Sequence, residues 1–152
     1  MAQQKAKQVV ISEEDAVFWM DKNGNWCNIH GKFEHPKIIR FFNASIRKDE
    51  RGYYVYQATK TIEEKVYFNY EDTPLFVTDI LIKDDILLKL NTYEIIQIQP
   101  ECLISENDQL YMHTSDHKIK FTSHALVKLS EFIQDEDGRL MIKIKEKTYS
   151  IG

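Results

Sequence analysis

The sequence predicts an α+β protein of two similar halves in tandem, each with one helix packed on an antiparallel sheet. Three observations carry that expectation. Apolar and polar residues alternate over most of the chain, as half-buried strands require. Two stretches replace the alternation with helical spacing: Ile38, Ile39, Phe42 and Ile46, then Ala125, Leu126, Leu129, Phe132 and Ile133. Each is followed by an acidic turn closing on glycine, Asp49-Glu50-Arg51-Gly52 and Asp135-Glu136-Asp137-Gly138.

Met1 to Gln8 is polar and reads as a loose tail, and Ser12 to Asp15 can cap a short helical turn. Asn23-Gly24 lies between Val17–Lys22 and Asn25–Ile29. That is a strong hairpin signal, because both central residues of the tightest such turn take positive φ. Pro36 suits the first turn of a helix, where its missing N–H costs nothing. The helix is expected to continue through Ile46 and to end at the Asp49–Gly52 turn.

Tyr53 to Ala58 and Lys65 to Tyr70 alternate with aromatic and β-branched residues and read as strands. Glu71-Asp72-Thr73-Pro74 is a turn. Leu75–Ile82, Ile86–Leu90 and Tyr93–Ile98 are further strands, separated by Lys83-Asp84-Asp85 and Asn91-Thr92. Cys102–Ile104, Leu110–His113 and Lys118–Phe121 follow. Thr122 or Ser123 can cap the second helix. Leu140–Ile144 and Lys147–Ile151 close the chain as a pair of strands.

Hairpin, amphipathic helix, acidic turn and hairpin therefore recur in order, with the helical positions related by one constant offset. This predicts residues 1–14 as an N-terminal tail, 15–82 as the first subdomain and 83–152 as the second. Each half has roughly 70 residues, small for an independent core. A shared interface is expected, with a cleft between the halves as the first place for a site.

Composition excludes more than it nominates. With 20 basic and 24 acidic residues the net charge is −4, and the basic residues are scattered rather than clustered on a phosphate track. No nucleic-acid partner is expected. No apolar run approaches the roughly 20 residues of a membrane helix, and the N-terminus has no secretory character. Neither a membrane role nor export is expected, and the reading is cytoplasmic. Cys27 and Cys102 are too few for a disulfide scaffold. They read as two reduced thiols, and a single Cys27–Cys102 bridge is also compatible with the sequence.

The candidates for chemistry are thin. Cys27-x-x-His30 with His35 lacks the four ligands of a structural zinc site. His113, His117 and His124 bracket a polar turn and read as surface residues. There is no Gly-x-Ser-x-Gly, no phosphate-cradling glycine loop and no His-Glu-x-x-His. No metal and no cofactor are expected. Most acidic pairs fall in turns. Glu64 is the exception, because it opens a strand. The densest feature is aromatic: Trp19, Trp26, Tyr53, Tyr54, Tyr56, Tyr67 and Tyr70. Aromatic side chains on a sheet face suit ligand or peptide binding when exposed, and core packing when covered.

At Trp26, Gly31-Lys32-Phe33, Pro36 through Phe42 and Arg47 through Tyr54, the chain resembles a bacterial family, the domain of unknown function 1285. The match continues through Thr61–Lys65 and Glu71–Leu75, and more weakly through Leu90–Glu94 and the second helix. It departs at Ile62, where relatives tend to carry proline. The resemblance implies two related α+β subdomains in tandem and a suggested role in signalling or ligand binding. It supplies no catalytic residue.

The leading expectation is a non-catalytic binding module for a small molecule or protein, with a role in signalling, with Trp26, Tyr54 and Tyr56 as the aromatic patch and Arg40 and Glu64 as polar rims. The alternative is a small hydrolase-like enzyme using Glu64 or a histidine in the cleft. A structural subunit with a large apolar interface is the third option.

Overall fold

Strand pairing, not helix packing, dominates the structure, a computed structural model that describes residues 6–152. Among these residues are seventeen strands in four sheets and two α-helices. The expected class is therefore corrected: the chain is mostly β and is not a helix-on-sheet α+β arrangement repeated in each half. The physical reason lies at the ends of the two apolar stripes. Ile46 and Ile133 continue the helical spacing, yet each starts a strand. Ile46 sits opposite Val55, and Ile133 opposite Ile142. The acidic turns are then hairpin turns rather than helix ends.

The chain divides into two compact units, Met1–Pro74 and Leu75–Gly152. The sequence reading drew its boundary after Ile82, so the strand Leu75–Ile82 falls in the second unit. Unit one contains β1 (Lys7–Ile11), β2 (Trp19–Met20), β3 (Trp26–Asn28), β4 (Gly31–Lys32), α1 (Pro36–Ala44), β5 (Ile46–Asp49), β6 (Gly52–Ala58), β7 (Ile62–Tyr67) and β8 (Asn69–Tyr70). They form two four-stranded sheets, ordered β1-β7-β6-β5 and β4-β3-β2-β8. Lys7 and Gln8, read as tail, belong to β1, which runs parallel to β7. Residues 1–5 of that tail reading lie outside the described residues.

The Asn23-Gly24 hairpin forms, with Trp19 opposite Cys27 and Met20 opposite Trp26. Its loop is longer than a two-residue turn. The Asp21 carboxylate accepts from the N–H groups of Asn23 and Asn25, each at 2.9 Å. Gly24 takes φ +83°. Burial pushes the Asp21 carboxyl up, but these bonds outweigh it and hold the group below its ordinary value. Trp26 is the centre of the adjoining core. Its ring lies 4.9 Å from Phe68 and 5.2 Å from Phe42, and its Nε1–H donates to Asn43 Oδ1 at 2.7 Å. Phe42 and Asn43 thus anchor α1, while Ile38 and Phe41 remain 47% and 46% exposed.

Unit two contains β9 (Leu75–Ile82), β10 (Ile86–Leu90), β11 (Ile95–Gln97), β12 (Leu103–Glu106), β13 (Gln109–His113), β14 (Lys118–Phe121), α2 (Ser123–Leu129), β15 (Ile133–Glu136), β16 (Arg139–Ile144) and β17 (Lys147–Ser150). Its sheets are β11-β10-β9-β14-β13-β12 and β15-β16-β17. α2 lies against β9 and buries Ala125 and Leu129. The Thr122 hydroxyl caps it by accepting from the Ala125 N–H at 3.2 Å. In both units the helix is followed by a three-strand antiparallel meander, β5-β6-β7 and β15-β16-β17.

Three hairpins of unit two use two-residue turns in which both residues have positive φ: Asn107-Asp108, Asp137-Gly138 and Lys145-Glu146. Such turns match the right-handed twist of the strands. The first two use residue types that tolerate the left-handed region. Lys145 at φ +50° and Glu146 at φ +65° do not, and the penalty for an ordinary side chain there is roughly 1–2 kcal/mol. Glu146→Gly is expected to stabilise the chain by about 1 kcal/mol, and Gly138→Glu to destabilise it by a similar amount. Urea denaturation midpoints of the two variants check both signs.

Candidate functional site

The β5-β6-β7 meander places alternate side chains on opposite faces. One face carries Arg47 and Asp49 from β5, Tyr54 and Tyr56 from β6, and Lys65 and Tyr67 from β7, with Tyr54 opposite Tyr67 and Tyr56 opposite Lys65. Cations cover the rings. The Arg47 guanidinium lies 4.1 Å from the centre of Tyr56, and the Lys65 ammonium 4.8 Å from that of Tyr54. Such contacts contribute on the order of 0.5–1 kcal/mol each where exposed.

Asp49 ties this face together. Its carboxylate accepts from the Tyr67 hydroxyl, from Lys65 Nζ at 3.3 Å and from the Arg51 N–H at 3.0 Å. The Tyr67 bond is the main cause holding the Asp49 carboxyl below its ordinary value. The same bond pushes the Tyr67 phenol up to about 12.

At the end of this face lies a partly open cavity of about 190 Å³, lined by Glu13, Arg51, Tyr53, Tyr67, Asn69 and Tyr70 together with Gly52 and Phe68. Arg51 comes from the β5–β6 turn, where Gly52 takes φ +138° to start β6. Glu13 comes from the turn after β1, in which the Ser12 carbonyl accepts from the N–H groups of Asp15 and Ala16. Arg51 Nη2 stands 3.6 Å from Glu13 Oε1, too long for a hydrogen bond. Its guanidinium also lies 4.4 Å from the centre of the Tyr67 ring. Glu13 Oε1 is sealed from solvent and has no hydrogen-bond partner among the described residues.

The residues singled out from sequence are dispersed within this unit. Tyr54 and Tyr56 share the tyrosine–cation face. Glu64 alternates with Lys65 and belongs to the opposite face, across from Gln57. Trp26 is buried, and Arg40 is exposed on α1. None of the five lines the cavity. Tyr53, Tyr67 and Tyr70, noted as aromatics, do line it. Glu13, Arg51 and Asn69 went unmarked, since two sit in turns and one at a strand break.

The remaining chemistry is sparse. Cys27 is buried and Cys102 half-buried, and both are free thiols. Burial raises the Cys27 thiol. Among the described residues no three His, Cys, Asp or Glu side chains are grouped to hold a metal ion. Asp79 on β9 pairs with Lys128 at 2.7 Å and lies 3.5 Å from His124. Lys128 is the main cause holding its carboxyl down. A groove of about 310 Å³ beside it is lined by Ile80, Ile82, Val127, Lys128 and Glu131. No helix among the described residues is long and apolar enough to cross a membrane.

The architecture is one already seen in solved structures. A DUF1285 family protein from Silicibacter pomeroyi DSS-3 matches over 97% of this chain and 83% of its own, with a TM-score of 0.62 and 11% identity. A DUF1285 family protein from Shewanella baltica OS155 matches over 70% of this chain and 84% of its own, with a TM-score of 0.50 and 14% identity. At such identities the likeness is one of fold. Both neighbours carry the family name that the motifs from Trp26 to Leu75 resemble. No family model matches the chain, and no curated protein does.

The Asp49 cluster sets a pH dependence. A carboxyl whose folded value is depressed adds stability above its ordinary value, 3.8 here, and loses it as pH falls through the folded value. Asp49→Asn is therefore expected to be less stable than the parent at neutral pH, with the gap closing below about pH 4. Urea denaturation of both proteins between pH 7 and pH 2 measures it. A gap that stays constant to the lowest pH overturns the assignment.

Proposed function

We propose that the chain is a cytoplasmic, non-catalytic module that binds a small polar ligand in the Glu13–Arg51 cavity. The observation that supports this best is the Glu13 oxygen. A carboxylate oxygen removed from water and left without a hydrogen bond is costly, and here its nearest charge is the Arg51 guanidinium at 3.6 Å, with both residues lining the cavity. A ligand that shifts the half-exposed Glu13 side chain supplies the missing donor. Tyr54 and Tyr56 serve indirectly in this reading. With Arg47 and Lys65 they stiffen the meander whose turn carries Arg51. Trp26, Arg40 and Glu64 stand outside the lining. A part in signalling amounts to reporting that the ligand is present.

A thermal-shift screen of the full chain against amino acids, organic acids, amines, nucleosides and sugars tests the proposal. A ligand at 100 times its Kd adds about 2.7 kcal/mol, which is a rise of several degrees for a chain of this size. The rise is expected for at least one class and is expected to vanish in Arg51→Ala. No rise across the screen overturns the proposal.

A further inference from the structure

We infer that the cavity selects small zwitterions, molecules carrying an ammonium and a carboxylate on neighbouring atoms, with a free α-amino acid as the simplest member. The inference rests on the ligand-binding reading above and names its substrate class.

The two charges argue for it. A simple anion seated on Arg51 comes within contact range of Glu13, and a simple cation seated on Glu13 comes within contact range of Arg51, because the two groups are only 3.6 Å apart. Each single-signed ligand gains one attraction and meets one repulsion at similar distance. A ligand with both signs, set antiparallel to the pair, gains two close attractions while its two repulsions act across the longer diagonals. The protein's own pair is a poor competitor. The side chains are 49% and 40% exposed, and exposed pairs at such a distance contribute little. Arg51 makes no side-chain hydrogen bond among the described residues, so its planar donor fork remains available for a carboxylate.

The rings exclude a bare cation as the preferred guest. Aromatic faces can cage an ammonium, but the Tyr67 face already carries Arg51 at 4.4 Å and the Tyr53 ring carries Lys48 at 5.2 Å. Tyr70, edge-on to Tyr53 at 5.8 Å and 40% exposed, is left as an apolar wall for a ligand side chain. Asn69 adds a rim group able both to donate and to accept.

Size sets the upper limit. At about 190 Å³ the cavity falls below the usual ~300–1,000 Å³ of pockets for drug-sized ligands. A nucleotide or peptide exceeds it, whereas an amino acid does not.

Calorimetric titration of the full chain with each standard L-amino acid, its N-acetyl derivative and its methyl ester tests the inference. The acetyl group removes the positive charge and the ester removes the negative one. At least one free amino acid is expected to bind, with both blocked forms at least tenfold weaker. Glu13→Gln and Arg51→Gln are each expected to weaken it at least tenfold, with circular dichroism unchanged. The comparison of blocked and free ligands on the parent protein stands even if a variant fails to fold. A blocked form binding as tightly as its parent overturns the inference. So does a screen in which only another class raises the melting temperature in an Arg51-dependent way, and that result leaves the ligand-binding reading intact. If no class raises it, both fail.

Discussion

Asp49 closes the β5–β6 turn and clamps it to β7 through one carboxylate. Its three donors are the backbone of Arg51, the phenol of Tyr67 and the ammonium of Lys65. The last two stand on the same face of β7, so β5 is tied to a strand with which it does not pair. With that carboxylate committed, the Arg51 guanidinium finds its anion at Glu13 and its ring at Tyr67. The cavity inherits its geometry from this clamp. The clamp fixes the turn backbone from which the half-exposed Arg51 side chain projects.

The two helices show how one sequence pattern can mean two packing outcomes. α2 buries Ala125 and Leu129 against β9, is capped by Thr122 and is pinned by Lys128 on Asp79. α1 has no buried residue at all. It is held by the Phe42 ring among Phe18, Trp26 and Phe33, and by Asn43 on the Trp26 indole. Apolar spacing marks the side of a helix that prefers to leave water. It does not say how much covering surface the rest of the chain supplies. That difference is why a helix-on-sheet class was a reasonable expectation and not what folds.

Legibility followed the range of the interaction. β9, β10 and β14 could be bounded from sequence, because apolar runs between charged turns are local signals. β5 and β15 could not, since Ile46 and Ile133 fit the helical period as well as a strand start. β1 escaped because its partner β7 lies far along the chain and pairs in parallel, which leaves no hairpin mark. Turn chemistry was read by composition, so Asn23-Gly24 drew attention while Lys145-Glu146 adopted the left-handed turn without the residues that favour it. The cavity was the least legible feature. Its tyrosines were visible as aromatics, but Glu13 and Asn69 meet Arg51 only through the β1–β7 and β6–β7 registers.

The looseness of the Glu13–Arg51 pair bears on whether the cavity is functional or merely a packing gap. An unbonded oxygen such as Glu13 Oε1 costs about 1–3 kcal/mol when fully buried, and less on a side chain that is 40% exposed overall. Closing the pair to hydrogen-bond distance would recover part of that cost, yet an exposed pair yields only about 0–1 kcal/mol. The stability at stake is therefore small in either direction. The consequence for binding is not small, because a closed pair commits both poles to each other. A charge pair left at 3.6 Å keeps its donors and acceptors for a third party. On the proposed reading, its charges therefore select the guest more sharply than the volume of the cavity does.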